Sequence, residues 1–288
     1  MNYETLLQKI KVYRKTFDVK CLGTTLFGRK IFAVERNLNK DFATAIFVAS
    51  THAREFITTD LLCRFIDDGL FDDVVDFNVS FVLMHNPDGV ELAKQGIVSV
   101  PEKYRKQVLF INGGSDDFSK WKANGLGVDL NNNFDAKFGT NAHSRVPSPS
   151  GFVGSWAESE PETKALADYV RSKKMFFAIA YHSKGEEIYF NFFQDRLRLK
   201  RDGLIAKRFS KSTGYKIRNV EKVSSGGFKD WCVERLKIPA LTIEVGSDEL
   251  VHPISENFLD EIYFKHKNVA KDLQFAYNEF VKFGEKHK

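Results

Sequence analysis

The feature that most constrains this chain is residues 175–183, MFFAIAYHS, an unbroken apolar run ending in a histidine and a serine. Successive side chains of a strand point to opposite faces, so a strand this apolar must be covered on both. TAIFVAS at 44–50 and PALTIEVG at 239–246 read the same way. Covering both faces takes two further layers, and the segments between the runs have helical spacing. Residues 2–16 show it, and after the 44–50 run Ile57, Leu61, Leu62, Phe65 and Ile66 form one apolar stripe. SEPETKALADYVRSK is expected to be a helix, with Ser159 as its N-cap and Glu162 at the capping-box position. Residues 255–283 are expected to form a C-terminal amphipathic helix. KIFAVER and FNVSFVLMHN supply more strands, the second stopping at the turn NPDG. The pattern predicts an α/β sheet with helices on both faces.

The chain has 288 residues and no Gly/Ser run, Pro-rich spacer or repeat, so residues 1–288 are read as one domain. Residues 90–150 look mostly like loop and turn, a length usually associated with function. The net charge of +5 is spread along the chain rather than gathered on one face, which argues against a nucleic-acid partner and suits a small anionic one. Three widely spaced cysteines, Cys21, Cys63 and Cys232, fit a reducing compartment. The polar N-terminus is not a signal peptide, and no apolar run is long enough to span a membrane. These features give the expectation of a cytoplasmic protein.

In α/β sheets ligands gather at the C-terminal ends of strands. His52, Asn86, His182 and Glu244 all fall at or just after such ends. A catalytic zinc takes three N and O ligands and leaves one position open. His52, Glu55 and His182 would supply them. An HxxE pair is common by chance, and a buried ion pair or a helix cap explains it equally well. Glu244, on a buried strand, reads either as a general base beside the metal or as half of an internal salt bridge. Asp129 is either a turn residue or the acceptor for the second ring nitrogen of His52. Arg54 and Lys122 are cations that would assist an attacked carbonyl, or plain surface charges.

HAREF, NPDG, GVDLNNNF, YHS and TIEVG, in that order, resemble the zinc carboxypeptidase family over roughly residues 20 to 275. The resemblance implies a mixed, mainly eight-stranded twisted sheet sandwiched between helices, one zinc per chain and hydrolysis of a peptide or amide bond. Carried over by motif, it makes His52, Glu55 and His182 the zinc ligands and Glu244 the catalytic base. It makes Asp129 the partner of a ligand histidine, and it places Arg54, Lys122, Asn131, Asn132 and Ser183 at the substrate.

Two positions depart from the family pattern. The arginine that grips a substrate's terminal carboxylate is replaced by Asn132, and Asn cannot form a bidentate charged pair. The tyrosine of the family's mobile loop would fall near Lys222, where there is none. WKANGLGVDLN, SEPET, YHSKGEEIYF and SGGFKDW resemble the bacterial branch that cuts cell-wall peptides between γ-D-glutamate and a diamino acid. The resemblance therefore implies a muropeptide as the substrate partner. The other readings are a broader metallocarboxypeptidase, a deacylase of N-acyl amino acids (against which the long 90–150 segment counts) and a zinc-containing binding module without turnover. His85 is read as packing or hydrogen-bonding at a strand end, and His143 and His252 as loop residues. Trp121, Trp156 and Trp231 are read as wall or core. SSGG at 224–227 is read as a flexible substrate-side loop that Gly226 and Gly227 allow to move.

Overall fold

A computed structural model describes residues 1–140, 142–218 and 225–286. Eight strands form one mixed sheet: β1 (Asp18–Thr24), β2 (Lys30–Arg36), β3 (Thr44–Val48), β4 (Asn78–Val82), β5 (Met175–His182), β6 (Glu187–Tyr189), β7 (Lys216–Arg218) and β8 (Ala240–Glu244). Their order is β1-β2-β4-β3-β5-β8-β6-β7. The four central strands, β4, β3, β5 and β8, are mutually parallel, whereas β1, β2 and β6 pair antiparallel to their inner neighbours.

The unbroken apolar runs are the central strands, and their alternation shows why they are apolar. Phe177, Ile179 and Tyr181 of β5 enter one core while Ala178 and Ala180 enter the other. Phe47 of β3 likewise lies opposite Ile46 and Val48. The larger core packs under α1 (Tyr3–Tyr13), α2 (Ile57–Asp67), α6 (Arg196–Thr213), α8 (Leu259–His266) and α9 (Val269–Lys286). The smaller packs under α5 (Pro161–Arg171) and α7 (Phe228–Glu234), where Leu166, Val170 and Trp231 are buried. Each fully buried large side chain contributes about 1.5–3 kcal/mol of transfer free energy.

Several expectations change. The 90–150 segment is not mostly loop at its start: α3 (Pro87–Gln95) and α4 (Glu102–Ile111) occupy it, and Leu92, Val108 and Trp121 share a third small core there. Both are short helices with Gly or Pro at their edges, which masks the 3.6-residue period. The α5 N-cap is Glu160, not Ser159, and no side chain caps it. The reason is that the Ser159 hydroxyl is held by Asn133 and turned to Glu160, while Pro161 already fills the first helical position. The C-terminal helix is two helices, broken between His266 and Val269. Trp121 and Trp231 are core, but Trp156 is 66% exposed. Cys21, Cys63 and Cys232 are free thiols. Among the described residues no helix is long and apolar enough to cross a membrane.

Candidate metal centre

The parallel strands β3, β5 and β8 bring three segments to one end of the sheet. His182 and Glu244 are the last residues of β5 and β8 and are cross-strand partners. His52 and Glu55 lie in the turns joining β3 to α2, four and seven residues past the strand end and not on the strand or helix themselves. Buried hydrogen bonds shape that connection. Ser50, at a positive φ of 50°, accepts its place because its N–H donates to Thr58 Oγ1 and its hydroxyl meets Thr59 Oγ1 at 2.7 Å. The Glu55 N–H donates to the His52 carbonyl, closing the turn.

Three donor groups converge there. His52 Nδ1 lies 2.9 Å from Glu55 Oε1 and 3.1 Å from His182 Nδ1, which lies 3.0 Å from Glu55 Oε2. All three residues are buried. They are the only such group of metal-ligating side chains among the described residues. Two imidazole nitrogens and a carboxylate facing one another out of water is the donor set of a zinc site with an open position. Burial opposes charge on Glu55, but His52 and His182 hold its carboxyl well below the usual range. Burial likewise opposes a charge on His52, yet Glu55 and Asp129 outweigh it and hold its pKa up at about 9. A cation suits the same electrostatic well, so the residues fit the metal.

The second ring nitrogen of His52 is 3.2 Å from Asp129 Oδ1. That carboxylate also accepts from the backbone N–H groups of Asn131 and Gly151, so it is fixed from three sides. Despite its burial, His52 and Lys122 hold its pKa below the ordinary carboxylate range. Glu244 has no hydrogen bond or ion pair with its carboxylate among the described residues. Burial and the neighbouring Glu55 carboxylate push its pKa up to about 8, against His52 and Lys122.

Of the remaining expected residues, Lys122 lies within electrostatic reach of His52, Asp129 and Glu244. Arg54 reaches the Lys120 carbonyl at 3.4 Å, and its Nε is buried without a partner among the described residues. The Ser183 N–H donates to Glu55 Oε2 at 3.3 Å, and its buried hydroxyl also meets no partner among the described residues. Asn131 Oδ1 accepts from the Phe228 N–H at the start of α7, a structural contact. Asn132 lies in a 3-10 turn (Leu130–Asn132) whose backbone packs against Gly226. Lys222 and Ser224 lie outside the described residues. At Gly226, with φ +73°, a Cβ would sit 2.4 Å from the Asn132 carbonyl oxygen, so glycine there permits close approach of the two segments.

Asn86, expected among the active side chains, is a brace. Its amide donates to the carbonyls of Thr51 and Ala123, tying the His52 turn to the Lys122 loop. His85 likewise spans Thr51 and the Glu162 carbonyl. Asn133, given no role above, is fully buried and holds the carbonyls of Val153 and Trp156. Only the fold shows what its amide meets. His143 is exposed, and His252 is close enough to feel Glu55 and Arg54.

The family model described as zinc carboxypeptidase matches residues 3–263. The chain belongs to the zinc carboxypeptidase family. Zinc is the metal of this family, and His52, Glu55 and His182 form the group in the chain that fits it. Among relatives, the chain is 33% identical over 234 residues to the gamma-D-glutamyl-L-diamino acid endopeptidase 1 of Lysinibacillus sphaericus, covering 75% of this chain and 57% of that one. The chain thus spans a little over half of that relative's length. In structure it is similar to bovine thrombin-activatable fibrinolysis inhibitor, with a TM-score of 0.77 at 18% identity, covering 96% of this chain and 97% of that one. It is also similar to a murein-tripeptide amidase from Escherichia coli O157, with a TM-score of 0.54 at 20% identity, covering 91% and 94%. At these identities the likeness is one of fold, and it bears out the mixed eight-stranded sheet between helices.

Proposed function

We propose that this zinc carboxypeptidase relative hydrolyses peptide or amide bonds in short anionic peptides, and that its substrates are cell-wall stem peptides cut between γ-D-glutamate and a diamino acid. The observation that carries the hydrolytic reading is the convergence of His52, Glu55 and His182 on one point, with Glu244 on the adjacent strand end and its carboxylate unpaired among the described residues. When bound, zinc supplies Lewis acidity, polarising a carbonyl and acidifying water. Glu244 takes the proton of the attacking water and returns it to the leaving nitrogen, the general acid–base role that its place beside His182 at the strand ends suits. Asp129 fixes the ring of His52. Lys122 and Arg54 face the negative charge that develops on the carbonyl oxygen, where a preorganised cation is most effective. Asn131, Asn132 and Ser183 line the substrate side.

The substrate class has two supports. Asn132 cannot clamp a terminal carboxylate as an arginine would, which disfavours ordinary carboxypeptidase action. The relative at 33% identity is an endopeptidase named for γ-D-glutamyl-L-diamino acid bonds. The test is metal analysis of the purified protein followed by digestion of defined muropeptides with mass spectrometry. One zinc per chain and cleavage after γ-D-glutamate are expected. Release of C-terminal residues from ordinary peptides instead would reject the cell-wall assignment.

A further inference from the structure

If Glu244 returns a proton to the leaving nitrogen, the residue bearing that nitrogen must lie within hydrogen-bond reach of it. The side chain beside Glu244 is therefore the natural reader of the leaving residue. That side chain is Glu187, its cross-strand partner on β6. Partners across a ladder project from the same face of the sheet. Ile188, Ile217 and Ile243 project to the other face and enter the larger core. On the Glu244 face, Tyr189 stands opposite Thr242, and Arg218 of β7 stands opposite Tyr189.

These polar residues form one unit. Arg218 donates to Glu187 Oε1 through Nε at 2.6 Å and Nη2 at 2.5 Å, and the Tyr189 hydroxyl donates to Oε2. The Glu187 side chain is 16% exposed and that of Arg218 is 53% exposed. The ion pair is thus closed at its acidic end, beside the base, and open at its basic end. So exposed a pair contributes little to stability.

We propose that Glu187 and Arg218 form the subsite for the leaving diamino acid, Glu187 receiving a side-chain ammonium and Arg218 a side-chain carboxylate. This rests on the reading of the reaction given above. Diaminopimelate ends in both an ammonium and a carboxylate, the charge complement of the Glu–Arg pair. Lysine offers only the ammonium, and norleucine offers neither. A site built to meet a charged group rejects the analogue that lacks it, because its own charge is then left poorly paired.

The test pairs cleavage with binding. Peptides γ-D-Glu-X, with X as meso-diaminopimelate, L-lysine or L-norleucine, are compared by kcat/KM in the zinc-loaded wild type, Glu187→Gln and Arg218→Ala. Free meso-diaminopimelate, L-lysine and L-norleucine are titrated calorimetrically onto the same proteins. In the wild type, diaminopimelate is expected to lead, then lysine, then norleucine, each step about tenfold. Glu187→Gln should collapse the lysine-over-norleucine ratio, and Arg218→Ala only the diaminopimelate-over-lysine ratio, both mainly through KM. The ratios cancel any change that Glu187→Gln makes to Glu244. Loss of all γ-D-glutamyl cleavage with the binding order intact would sink the reaction assigned above but keep this subsite. Equal binding of the three amino acids, or ratios that survive both substitutions, overturns the subsite.

Discussion

The two ends of the sheet treat buried polar groups in opposite ways. At the C-terminal ends of the parallel strands, His182 Nε2, Ser183 Oγ and Arg54 Nε are buried with no partner among the described residues. At the other end a cleft of about 730 Å³ opens between β1, β2 and α5. It is roomy, yet its buried acid is fully engaged: Glu35 accepts from Lys173 at 2.7 Å, from Asn37 at 2.7 Å and from the Tyr169 hydroxyl, which also meets Ser80. A satisfied network rigidifies a fold, whereas unsatisfied buried atoms carry a cost that folding alone does not explain. Between these two places, unmet hydrogen-bonding capacity rather than volume makes the difference, although Tyr181, Tyr215 and His266 in the interior of the fold also carry buried atoms without partners among the described residues.

The largest expected effect is at the working end. Glu244→Gln should lower kcat by about 10²–10⁴-fold, the usual contribution of a general acid–base. Zinc content by metal analysis and Tm by calorimetry should stay unchanged. Full turnover in the variant would remove Glu244 from the reaction and erase the contrast.

At the other end the effect should fall on stability alone. Glu35→Gln is expected to cost about 1.5–3 kcal/mol, the range for hydrogen bonds to a charged group, with kcat/KM unaltered. The pH dependence sharpens this. Burial pushes the Glu35 carboxyl up, but Lys173, Tyr169 and Asn37 outweigh burial and hold it below its ordinary 4.5. Its stabilisation is therefore complete above pH 4.5 and is lost as pH falls through the lower folded value. Denaturant melts from pH 7 down to acid should show that slope in the wild type and a reduced one in Glu35→Gln; parallel curves would mean the network is worth nothing.

Gly226→Ala joins the two questions. Strain at positive φ and the clash with Asn132 should cost about 1–3 kcal/mol and displace the Asn132 turn, raising KM. Unchanged melting and KM would show that the segment yields freely. The smallest effect is expected at Ser183→Ala. Its hydroxyl has no partner, so removing it should leave Tm unchanged or slightly higher. A fall of several degrees would reveal a contact that the comparison of the two ends misses.

How far the sequence could be read depended on the range of the interactions. The strands β3, β5 and β8 and the stripe on α2 were legible because burial writes a local period. Helices α3 and α4 were not, since they are short and half polar, and β6 and β7 were missed because three residues carry too little alternation. His52, Glu55, His182, Glu244 and Asp129 could be picked out by residue type and position. The part played by Asn86 was not legible, because an amide at a strand end looks the same whether it meets substrate or two carbonyls. Glu187 passed unnoticed because its neighbour is Glu244, fifty-seven residues away in sequence but opposite it in the ladder.

Alone, the sequence determined that both faces of a sheet are covered, and which residue types stand at the ends of its central strands. Tertiary structure decided which of those residues face one another, which polar atoms go unmet, and that an acid–arginine pair sits beside Glu244. The physical reason is that burial is a property of one residue and its near neighbours, while convergence of charge depends on strand order and register, which couple distant parts of the chain.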